Sequence, residues 1–462
     1  MGNNPKVLVI GLDCTSPELL FNKLKDKLPN LSSLIDNGIH GELKSCHPPI
    51  TIPAWMVMFT GKNPGKLGLY GFRHRKSNSY TDFYIATSNF IKEPTIWDLA
   101  SKHGKKSCIV GVPPSYPPKP LNGCLISCFI TPENAKEYTY PSTLKHEVEK
   151  LIGKYIFDVE FRTEQRKKLL TELYDMTRRR FKVLKYLLTK KSWDLFIFVE
   201  IGVDRVHHAF WKFFDKNHPK YVAGNEFEHV IPEYYKFIDE QIGELLKLVD
   251  EDTAIIVVSD HGVKPMKGAF CINEWLAEEG LLKFKHKPEK ILDLEKAPIE
   301  WSETKVWGWG GYYARIFLNV KGREPYGKIP PENYENFRDE VADKLKEITD
   351  PEGRKMDMKI FKPEKIYPET RGDPPDLMVY FDDLYWRSAG TIGHNTIYLS
   401  ENDTGPDDAM HSMYGVFILS DMKKTFNKKT VSNLEIRDVA STILHLLNIP
   451  VPDDFEGKIV IK

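Results

Sequence analysis

The stretch "IIVVSDHG" (residues 255–262) carries an apolar, β-branched run straight into Asp260 and His261. Such a run predicts a parallel strand that is covered on both faces. In open α/β folds, ligands bind beyond the carboxyl ends of these strands, and Asp and His are common metal ligands. The simpler alternative is a strand followed by a polar turn, in which Asp260 caps a helix and His261 lies on the surface. The rest of the sequence distinguishes the two interpretations.

Length and composition describe a globular protein with no global charge. At 462 residues, the chain exceeds the usual size of a single core, which predicts one large α/β domain with an accessory region, or two domains. Hydrophobic residues make up 41% and charged residues 28% of the chain, as is usual for globular proteins. Lys plus Arg and Asp plus Glu both number 65, so no global field favours nucleic acid or a membrane as partner.

Apolar runs and cysteines predict a cytoplasmic location. The first apolar run, residues 7–12, is too short for a signal-peptide core, and no run approaches the roughly 18 apolar residues of a transmembrane helix. The six cysteines show neither a CxxC pair nor a zinc-finger spacing. This scatter indicates free thiols in a reducing compartment rather than a disulfide framework.

Strand-like runs alternate with helical patterns along the chain. Apolar residues recur at helical spacing from 169 to 187, in a basic stretch typical of an amphipathic helix with a solvated face. A second helix, 229–249, leads into the strand before Asp260. The alternation predicts an α/β fold with a mostly parallel central sheet and helices on both faces. The clearest predicted strands are 6–11, 106–111, 194–200, 254–260, 314–319, 376–381 and 415–420.

Composition also changes within the chain. A charged segment follows residue 283, and residues 321–334 are rich in Pro and Gly. We predict that residues 1–280 form the first part of a core α/β domain that carries a metal site. Residues 281–383 then form a smaller accessory or lid region, and residues 384–462 return to the core.

Acidic residues and histidines follow three of the predicted strands. Asp13 follows the first strand, Asp204 follows "LFIFVE" with His208 four residues later, and Asp260 follows "IIVV". If a helix begins near Asp204, the i, i+4 spacing places Asp204 and His208 on one face. One carboxylate at a strand end commonly caps a helix, but three such ends, two with histidines, are hard to explain as caps.

So many Asp and His ligands predict two divalent ions rather than one. Mixed Asp and His ligands suit Zn²⁺, with Mn²⁺ as the alternative. Two such ions about 4 Å apart would clamp the attacking and leaving oxygens of a phosphoryl group in line. The predicted cofactor is therefore a pair of divalent metal ions.

A candidate nucleophile lies in "CHPPITIPAWMVMFTG" (residues 46–61). Pro53 suits the first turn of a helix and Gly61 suits its end, so Thr51 lies beside the exposed N–H groups that attract phosphate. An isolated Thr at this place is most simply a helix cap. Beside two metal ions, however, coordination would lower the pKa of the Thr51 hydroxyl and make it a nucleophile.

The motifs "GLD", "PPITIPAW", "DRVHH", "SDHG" and "DDAMHSMYG" occur here in the order seen in the alkaline phosphatase superfamily. The threonine followed by x-Pro most resembles the type I phosphodiesterase/nucleotide pyrophosphatase branch, and the motifs span residues 13–411. This resemblance implies two metal sites with Thr51 bridging them. The implied ligands are Asp204, His208 and His411 for one ion, and Asp13, Asp260 and His261 for the other.

Several neighbouring residues leave alternatives open. His411 enters mainly through the resemblance, because a loop without a strand precedes it. His207 rivals His208 as a ligand, but its aromatic neighbours favour a core position. In "GLYGFRHRK", any of residues 73–75 lines the pocket or belongs to a solvated basic turn. Residues 308–317, "GWGGYYARIF", shape the substrate side or form a packed strand.

The leading hypothesis is a two-metal phosphohydrolase acting on a small phosphorylated substrate. It cleaves phosphodiester, pyrophosphate or phosphomonoester bonds through a covalent phospho-threonine at Thr51. A phosphotransferase or mutase on the same scaffold is the alternative, although the related cofactor-independent phosphoglycerate mutases use a serine in a different motif. A metal- or phosphate-binding protein without turnover would not need the Thr51 hydroxyl. Secreted members of the branch carry signal sequences and many disulfides, and this chain shows neither.

Overall fold

The computed structural model describes residues 5–76 and 78–461. The strands β1–β21 are, in chain order, Val7–Leu12, Ile39–Lys44, Arg73–Arg75, Phe83–Ile85, Ser107–Val110, Gly123–Ile126, Thr139–Tyr140, Leu195–Glu200, Ala254–Val258, Gly262–Pro265, Gly268–Cys271, Val306–Trp309, Ala314–Leu318, Lys359–Phe361, Leu377–Tyr380, Trp386–Ala389, Tyr398–Leu399, Ala409–Ser412, Tyr414–Ser420, Lys429–Thr430 and Leu434–Glu435. The helices α1–α12 are Pro29–Asp36, Thr51–Thr60, Pro64–Leu67, Ile96–Lys102, Leu144–Ile152, Arg166–Lys190, Gly202–Phe214, Val230–Leu246, Ile272–Glu278, Tyr334–Lys346, Pro363–Ile366 and Asp438–Leu446. Short 3₁₀ or π turns cover Glu18–Lys23, Lys25–Lys27, Ser88–Phe90, Leu294–Lys296 and Pro331–Asn333.

The central sheet has ten strands in the described part of the chain. Their order is β20-β2-β19-β9-β1-β8-β5-β6-β7, and β21 also pairs with β2. Five neighbouring strands, β9, β1, β8, β5 and β6, run parallel. Strand β19 lies antiparallel between β2 and β9, and β7 lies antiparallel at the far edge. The predicted mostly parallel α/β sheet is confirmed.

Both faces of this sheet are buried, as the apolar strand sequences predict. In β1, Leu8, Ile10 and Leu12 pack into a cluster with side chains of α1, α5, α6, α7 and α8. The alternate residues Val7 and Val9 pack into a second cluster with α2, α4 and α12. Full burial of one such side chain contributes about 1.5–3 kcal/mol to the free energy of folding. Because successive residues of β1 point to opposite faces, this burial stabilises helices on both faces of the sheet.

Small sheets lie beside the central one. Four strands form an antiparallel sheet in the order β12-β13-β15-β14, which contains the predicted strands 314–319 and 376–381. Three more form β16-β11-β17, and the pairs β10-β18 and β3-β4 complete the set. A third apolar cluster joins the sheet β12-β13-β15-β14 to β11 and β16 and draws on residues from Tyr80 to Ile392. The boundaries at residues 280 and 383 stay predictions.

The two helices predicted from spacing are present as α6 and α8. Helix α6 buries Leu169, Leu173, Leu184 and Leu187 on one face. No helix in the described ranges is long and apolar enough to cross a membrane. All six cysteines are free and buried, and the cytoplasmic location stays a prediction.

Candidate active site

Three parallel strands bring the candidate ligands to one edge of the sheet. Strand β1 lies between β8 and β9, with Leu12 opposite Glu200 and Gly11 opposite Val258. Because the three strands end at the same level, the residues that follow them meet there. Asp13, Asp204 and Asp260 are all buried beyond these ends, in the position that open α/β folds use for ligands.

The first group of potential ligands lies at the start of α7. Asp204 is in its first turn, and His208 one turn later presents Nε2 at 3.2 Å from Asp204 Oδ1. His411 Nε2 lies 3.8 Å from the same oxygen and 3.2 Å from His208 Nε2. Cys14 completes the group, in which all ligand atoms lie within 4.8 Å of one another. We call these four residues cluster one.

The second group contains Asp13, Asp260 and His261, and we call it cluster two. His261 Nε2 lies 3.1 Å from Asp260 Oδ2 and 3.7 Å from Asp13 Oδ1. The His261 ring stacks on the His411 ring with centroids 3.7 Å apart, so the two clusters adjoin. The structure therefore brings all six predicted Asp and His ligands into two adjacent groups.

Local packing accounts for the glycine at position 262 and for the position of His411. Gly262 is required because a Cβ there would come within 2.1 Å of the Tyr414 carbonyl oxygen. His411 lies in the short strand β18, opposite Val263 of β10. A loop does precede this strand, but pairing with β10, which directly follows His261, holds His411 beside cluster two.

The three carboxylates share one pattern of hydrogen bonding. In each, one buried oxygen is hydrogen-bonded and the other has no hydrogen-bond partner among the described residues. An unsatisfied buried polar atom costs about 1–3 kcal/mol, and more when it is charged. The bonded oxygens accept from Trp55 Nε1 at 2.8 Å (Asp13 Oδ2), Arg205 Nη1 at 2.6 Å (Asp204 Oδ2) and the Cys14 backbone N–H at 3.3 Å (Asp260 Oδ1).

Cations fit these free oxygens. The unbonded atoms are Asp13 Oδ1, Asp204 Oδ1 and Asp260 Oδ2, and they are the oxygens nearest the histidine Nε2 atoms. Burial, reinforced by the charges of Asp260 and Asp204, raises the pKa of Asp13 well above its usual value. Buried carboxylates this close together need positive charge between them, and Asp and His donors suit divalent metals.

All three histidines are oriented by their other ring nitrogen. His411 Nδ1 donates to the Pro49 carbonyl at 2.9 Å, and His261 Nδ1 lies 3.2 Å from the Gly262 carbonyl oxygen. His208 Nδ1 lies 2.6 Å from Asp407 Oδ1. A proton held on Nδ1 leaves the Nε2 lone pair free to bind metal. Each histidine thus turns Nε2 toward its cluster.

Sequence reasoning missed Asp407 as an orienting residue. It is fully buried and lies 199 residues from His208 in the chain. Burial alone would lower the pKa of His208, but the charge of Asp407 raises it well above the usual value. The only sequence sign was the place of Asp407 in "DDAMHSMYG", four residues before His411.

Sequence reasoning also missed Cys14 in cluster one. Cys14 directly follows Asp13 and has φ of 64°, a left-handed conformation that is uncommon for a residue other than glycine. Its Sγ donates to the Gly262 carbonyl oxygen at 3.5 Å. Burial, followed by the charge of Asp204, raises the pKa of the thiol. Strain of this kind occurs at functional sites, but the sequence offered only adjacency to Asp13.

Thr51 is the first residue of α2 and is not its cap. The N-cap is Ile50, whose backbone is extended and whose side chain makes no capping bond, so the cap alternative is wrong. Thr51 Oγ1 lies 3.4 Å from His261 Nε2. As predicted, Pro53 lies in the first turn of α2, and the helix ends at Gly61, which has φ of 65°. The hydroxyl therefore meets cluster two at the positive end of a helix.

His207 lies outside both clusters. It is completely buried, and its ring stacks on Tyr235 at 5.7 Å with Trp211 edge-on at 5.3 Å. Burial lowers the pKa of His207 to about 3. It is a neutral core side chain on α7.

A cavity of about 400 Å³ borders cluster one. Its lining includes Ile50, which precedes Thr51, and Arg205, which donates to Asp204. Tyr312 also lines it: the ring stacks on His411 at 3.8 Å, and the hydroxyl lies 3.3 Å from His208 Nε2. This volume is in the range of small-molecule sites.

The sequence left the roles of two stretches open, and the structure places them differently at this cavity. In "GLYGFRHRK", Arg73 lines the cavity, whereas His74 accepts the Tyr70 backbone N–H and Arg75 pairs with Asp373. In "GWGGYYARIF", the packed-strand alternative is confirmed, and a role on the substrate side stays a prediction. The stretch begins and ends in packed strands, and the lining includes residues 309–313 and Arg315.

Known proteins were compared with this chain by sequence and by structure. The family model described as "Type I phosphodiesterase / nucleotide pyrophosphatase" matches residues 7–407. The match includes Thr51 and ends four residues before His411. The chain has no significant match among curated protein sequences.

Solved structures show the same fold at low sequence identity. Human ectonucleotide pyrophosphatase/phosphodiesterase 5 aligns with a TM-score of 0.59 and 14% identity over 98% of this chain and 97% of that one. An inactive threonine-to-alanine variant of the murine protein, solved in complex with AMP, aligns with a TM-score of 0.57 and 15% identity over the same shares.

Proposed function

The chain belongs to the type I phosphodiesterase/nucleotide pyrophosphatase family of hydrolases, and we propose that it cleaves phosphate esters through a covalent intermediate on Thr51. One observation carries this proposal: the Thr51 hydroxyl lies 3.4 Å from His261, beside three buried carboxylates that each keep one oxygen unbonded. A purely structural threonine has no need of this position.

Clusters one and two would hold the two metal ions. When bound, such ions stabilise negative charge that develops on the oxygens of a transferring phosphoryl group. Thr51 Oγ1 forms the bond to phosphorus while the bond from phosphorus to the leaving oxygen breaks. The Thr51 hydroxyl gives up its proton in this step and the leaving oxygen takes one up. Water then displaces Thr51 from phosphorus, and one proton of that water returns to Thr51 Oγ1. The first N–H groups of α2 orient the phosphate oxygens during both displacements.

A diester is the proposed substrate class, and an assay of matched aryl esters tests it. We expect kcat/KM for an aryl phosphodiester to equal or exceed that for the aryl phosphomonoester with the same leaving group. Chelation should abolish turnover, and reloading with Zn²⁺ or Mn²⁺ should restore it. A clear preference for the monoester would instead indicate phosphatase or mutase chemistry. Because the murine relative was solved with AMP, nucleotide diesters belong in the same assay.

The presence of Cys14 in cluster one supports zinc over manganese. Thiolate is a soft ligand that zinc accepts and manganese disfavours. The Sγ atom lies within 4.8 Å of the Asp204, His208 and His411 ligand atoms, and Asp204 Oδ1 in the same group is buried and unbonded. We propose Cys14 as a ligand of the ion in cluster one.

Cobalt-loaded protein tests this ligand without an activity assay. We expect Co²⁺-substituted protein to show a thiolate-to-cobalt charge-transfer band in the near ultraviolet, and Cys14→Gly to lose it. Glycine suits the left-handed backbone at this position, so the variant should fold. Cys46→Ser, another buried cysteine outside both clusters, should keep the band. A band that survives Cys14→Gly would remove Cys14 from the ligand set.

A further inference from the structure

The cavity beside cluster one is lined by five arginines. They come from five separate parts of the chain and lie around the same space. Three of them, Arg205, Arg315 and Arg387, are at most 7% exposed. The five are Arg73, Arg162, Arg205, Arg315 and Arg387.

Most of these guanidinium groups are held against aromatic rings. Arg315 lies 5.0 Å from the centroid of Trp309, and Arg387 lies 4.6 Å from that of Tyr312. Arg73 lies 4.9 Å from the Phe83 ring. Stacking of this kind fixes a guanidinium before a ligand arrives. The stacking therefore restrains these guanidinium groups at the cavity lining.

Three of the five arginines have carboxylate partners. Arg205 pairs with Asp158 and Asp204 at 2.6 Å. Arg162 pairs with Asp407 at 3.0 Å, and Arg387 reaches the same carboxylate at 3.5 Å. Asp407 also binds His208, so one carboxylate serves three positive or hydrogen-donating groups.

The other two arginines lack such partners. Within residues 5–76 and 78–461, neither Arg73 nor Arg315 has a carboxylate at ion-pair distance. Arg315 Nη1 donates a hydrogen bond to the Arg73 carbonyl oxygen. Burial lowers the pKa of Arg315, although the group stays charged at neutral pH. A buried guanidinium without a counter-charge is costly unless a ligand supplies the charge.

Acidic groups also line the cavity, but they do not neutralise this pair. Asp293 is exposed and pairs with Lys296 at 2.7 Å. Asp403 accepts the backbone N–H groups of Gly390 and Thr391. Glu295, the third acid, is only partly buried. Solvent screens such charges more strongly than buried ones.

The cavity lies on the leaving-group side of Thr51. In-line displacement places the leaving oxygen on the far side of phosphorus from the nucleophile. Thr51 contacts cluster two through His261, and cluster one adjoins cluster two through the stacked rings of His261 and His411. With the attacking oxygen at cluster two, a two-metal clamp places the leaving oxygen at cluster one. Arg205 and Tyr312 join cluster one to the cavity. The part of a substrate beyond the leaving oxygen therefore enters the arginine-lined space.

We infer that the leaving group of the natural substrate carries its own oxyanion, a phosphate or a carboxylate, which Arg73 and Arg315 bind. This inference rests on the proposed hydrolysis at Thr51. Guanidinium groups bind phosphate and carboxylate oxygens alike through paired N–H donors. A leaving group without such an anion leaves both arginines unpaired and is the poorer substrate.

Three matched diesters test the inference in the metal-loaded enzyme. They share one methyl ester and differ in the other, a phenyl ester whose para position carries a hydroxymethyl, a carboxymethyl or a phosphonomethyl group, and release of the phenol is followed by product analysis. We expect the parent enzyme to release one of the anionic groups at least about tenfold faster, in kcat/KM, than the neutral group. Comparison of the two anionic arms distinguishes phosphate from carboxylate. Equal rates for all three esters would overturn the inference.

Arginine variants locate the effect. Arg73→Ala and Arg315→Met should each lower kcat/KM for the preferred anionic ester about 10- to 100-fold and change the neutral ester less than about threefold. Lys76→Ala removes an exposed positive charge next to β3, outside the cavity lining, and should keep the preference. Equal losses for neutral and anionic esters, or loss of the preference in Lys76→Ala, would contradict a specific oxyanion site. Arg73 is exposed, so Arg73→Ala remains informative if Arg315→Met fails to fold.

Binding separates this inference from the hydrolytic proposal. Calorimetry with metal-loaded Thr51→Ala should show tighter binding of the anionic ester than of the neutral one, and Arg73→Ala in that background should remove the difference. If the difference is present but the parent enzyme turns over none of the esters, the oxyanion site stands and the proposed hydrolysis fails. If turnover occurs without any binding difference, the oxyanion site fails and the proposed hydrolysis stands.

Discussion

Replacement of Thr51 by alanine is expected to lower kcat/KM for the diester by at least about 10³-fold. Thr51 Oγ1 is the hydroxyl beside cluster two, and loss of a nucleophile from a site whose parts act together removes most of the rate enhancement. Thr51→Ser should keep part of the activity. The hydroxyl remains, but the methyl group that restricts its rotamer is lost.

The Thr51→Ala substitution should change the free energy of unfolding very little. Thr51 makes no capping bond, and alanine is the better helix former. That gain offsets most of the roughly 1 kcal/mol lost with one buried methyl group. Thr60→Ala is a matched control, because Thr60 is buried in the same helix and its hydroxyl bonds locally, donating to the Met56 carbonyl at 2.6 Å and accepting the Lys62 backbone N–H at 3.4 Å. Turnover, metal content and melting temperature should be measured for all three variants.

Near-parental turnover in folded, metal-loaded Thr51→Ala would exclude the covalent route. The two clusters could then still activate water directly, and the family relationship would be unaffected. If Thr60→Ala lost as much activity as Thr51→Ala, the effect would belong to α2 as a whole and not to one hydroxyl.

The sequence predicted the main part of the sheet because its strands are apolar throughout. Strands β1, β8 and β9 are buried at every position. A short, mostly apolar run of this kind is typical of a parallel strand that is covered on both faces. Parallel strands bring their carboxyl ends to one edge of the sheet, so the sequence alone predicts that Asp13, Asp204 and Asp260 lie together. The short strands β10 and β18 carry no such pattern, and the strand position of His411 was therefore missed.

Side-chain partners distant in sequence could not be predicted. Asp407 meets His208 across 199 residues, and neither residue carries a local sign of the other. Cys14 turns into cluster one through a left-handed backbone, which residue preferences favour for glycine. The arginine-lined cavity joins β3, α7 and the small sheets, so it depends on how separate elements pack.

The adjacent histidines of α7 provide the sharpest test of the metal centre. His208→Ala is expected to lower the metal content from about two equivalents to about one and to lower turnover by about 10³-fold or more. His207→Phe should leave both values near those of the parent enzyme. His208 presents Nε2 to Asp204 and His411, whereas His207 faces Tyr235 and Trp211 in the core.

Phenylalanine is a suitable replacement for His207 because the His207 ring lies in an apolar environment. Both His207 nitrogens are buried without a hydrogen-bond partner among the described residues, and burial holds the pKa of His207 at about 3. An aromatic ring of similar shape keeps the stacking and removes two unsatisfied polar atoms, so stability should be equal or higher. Metal analysis after chelation and reloading, with melting curves for each variant, gives the result. If His207→Phe lost one metal equivalent while His208→Ala kept two, the ligand assignment on α7 would be reversed, and Asp407 would be orienting a histidine that binds no metal.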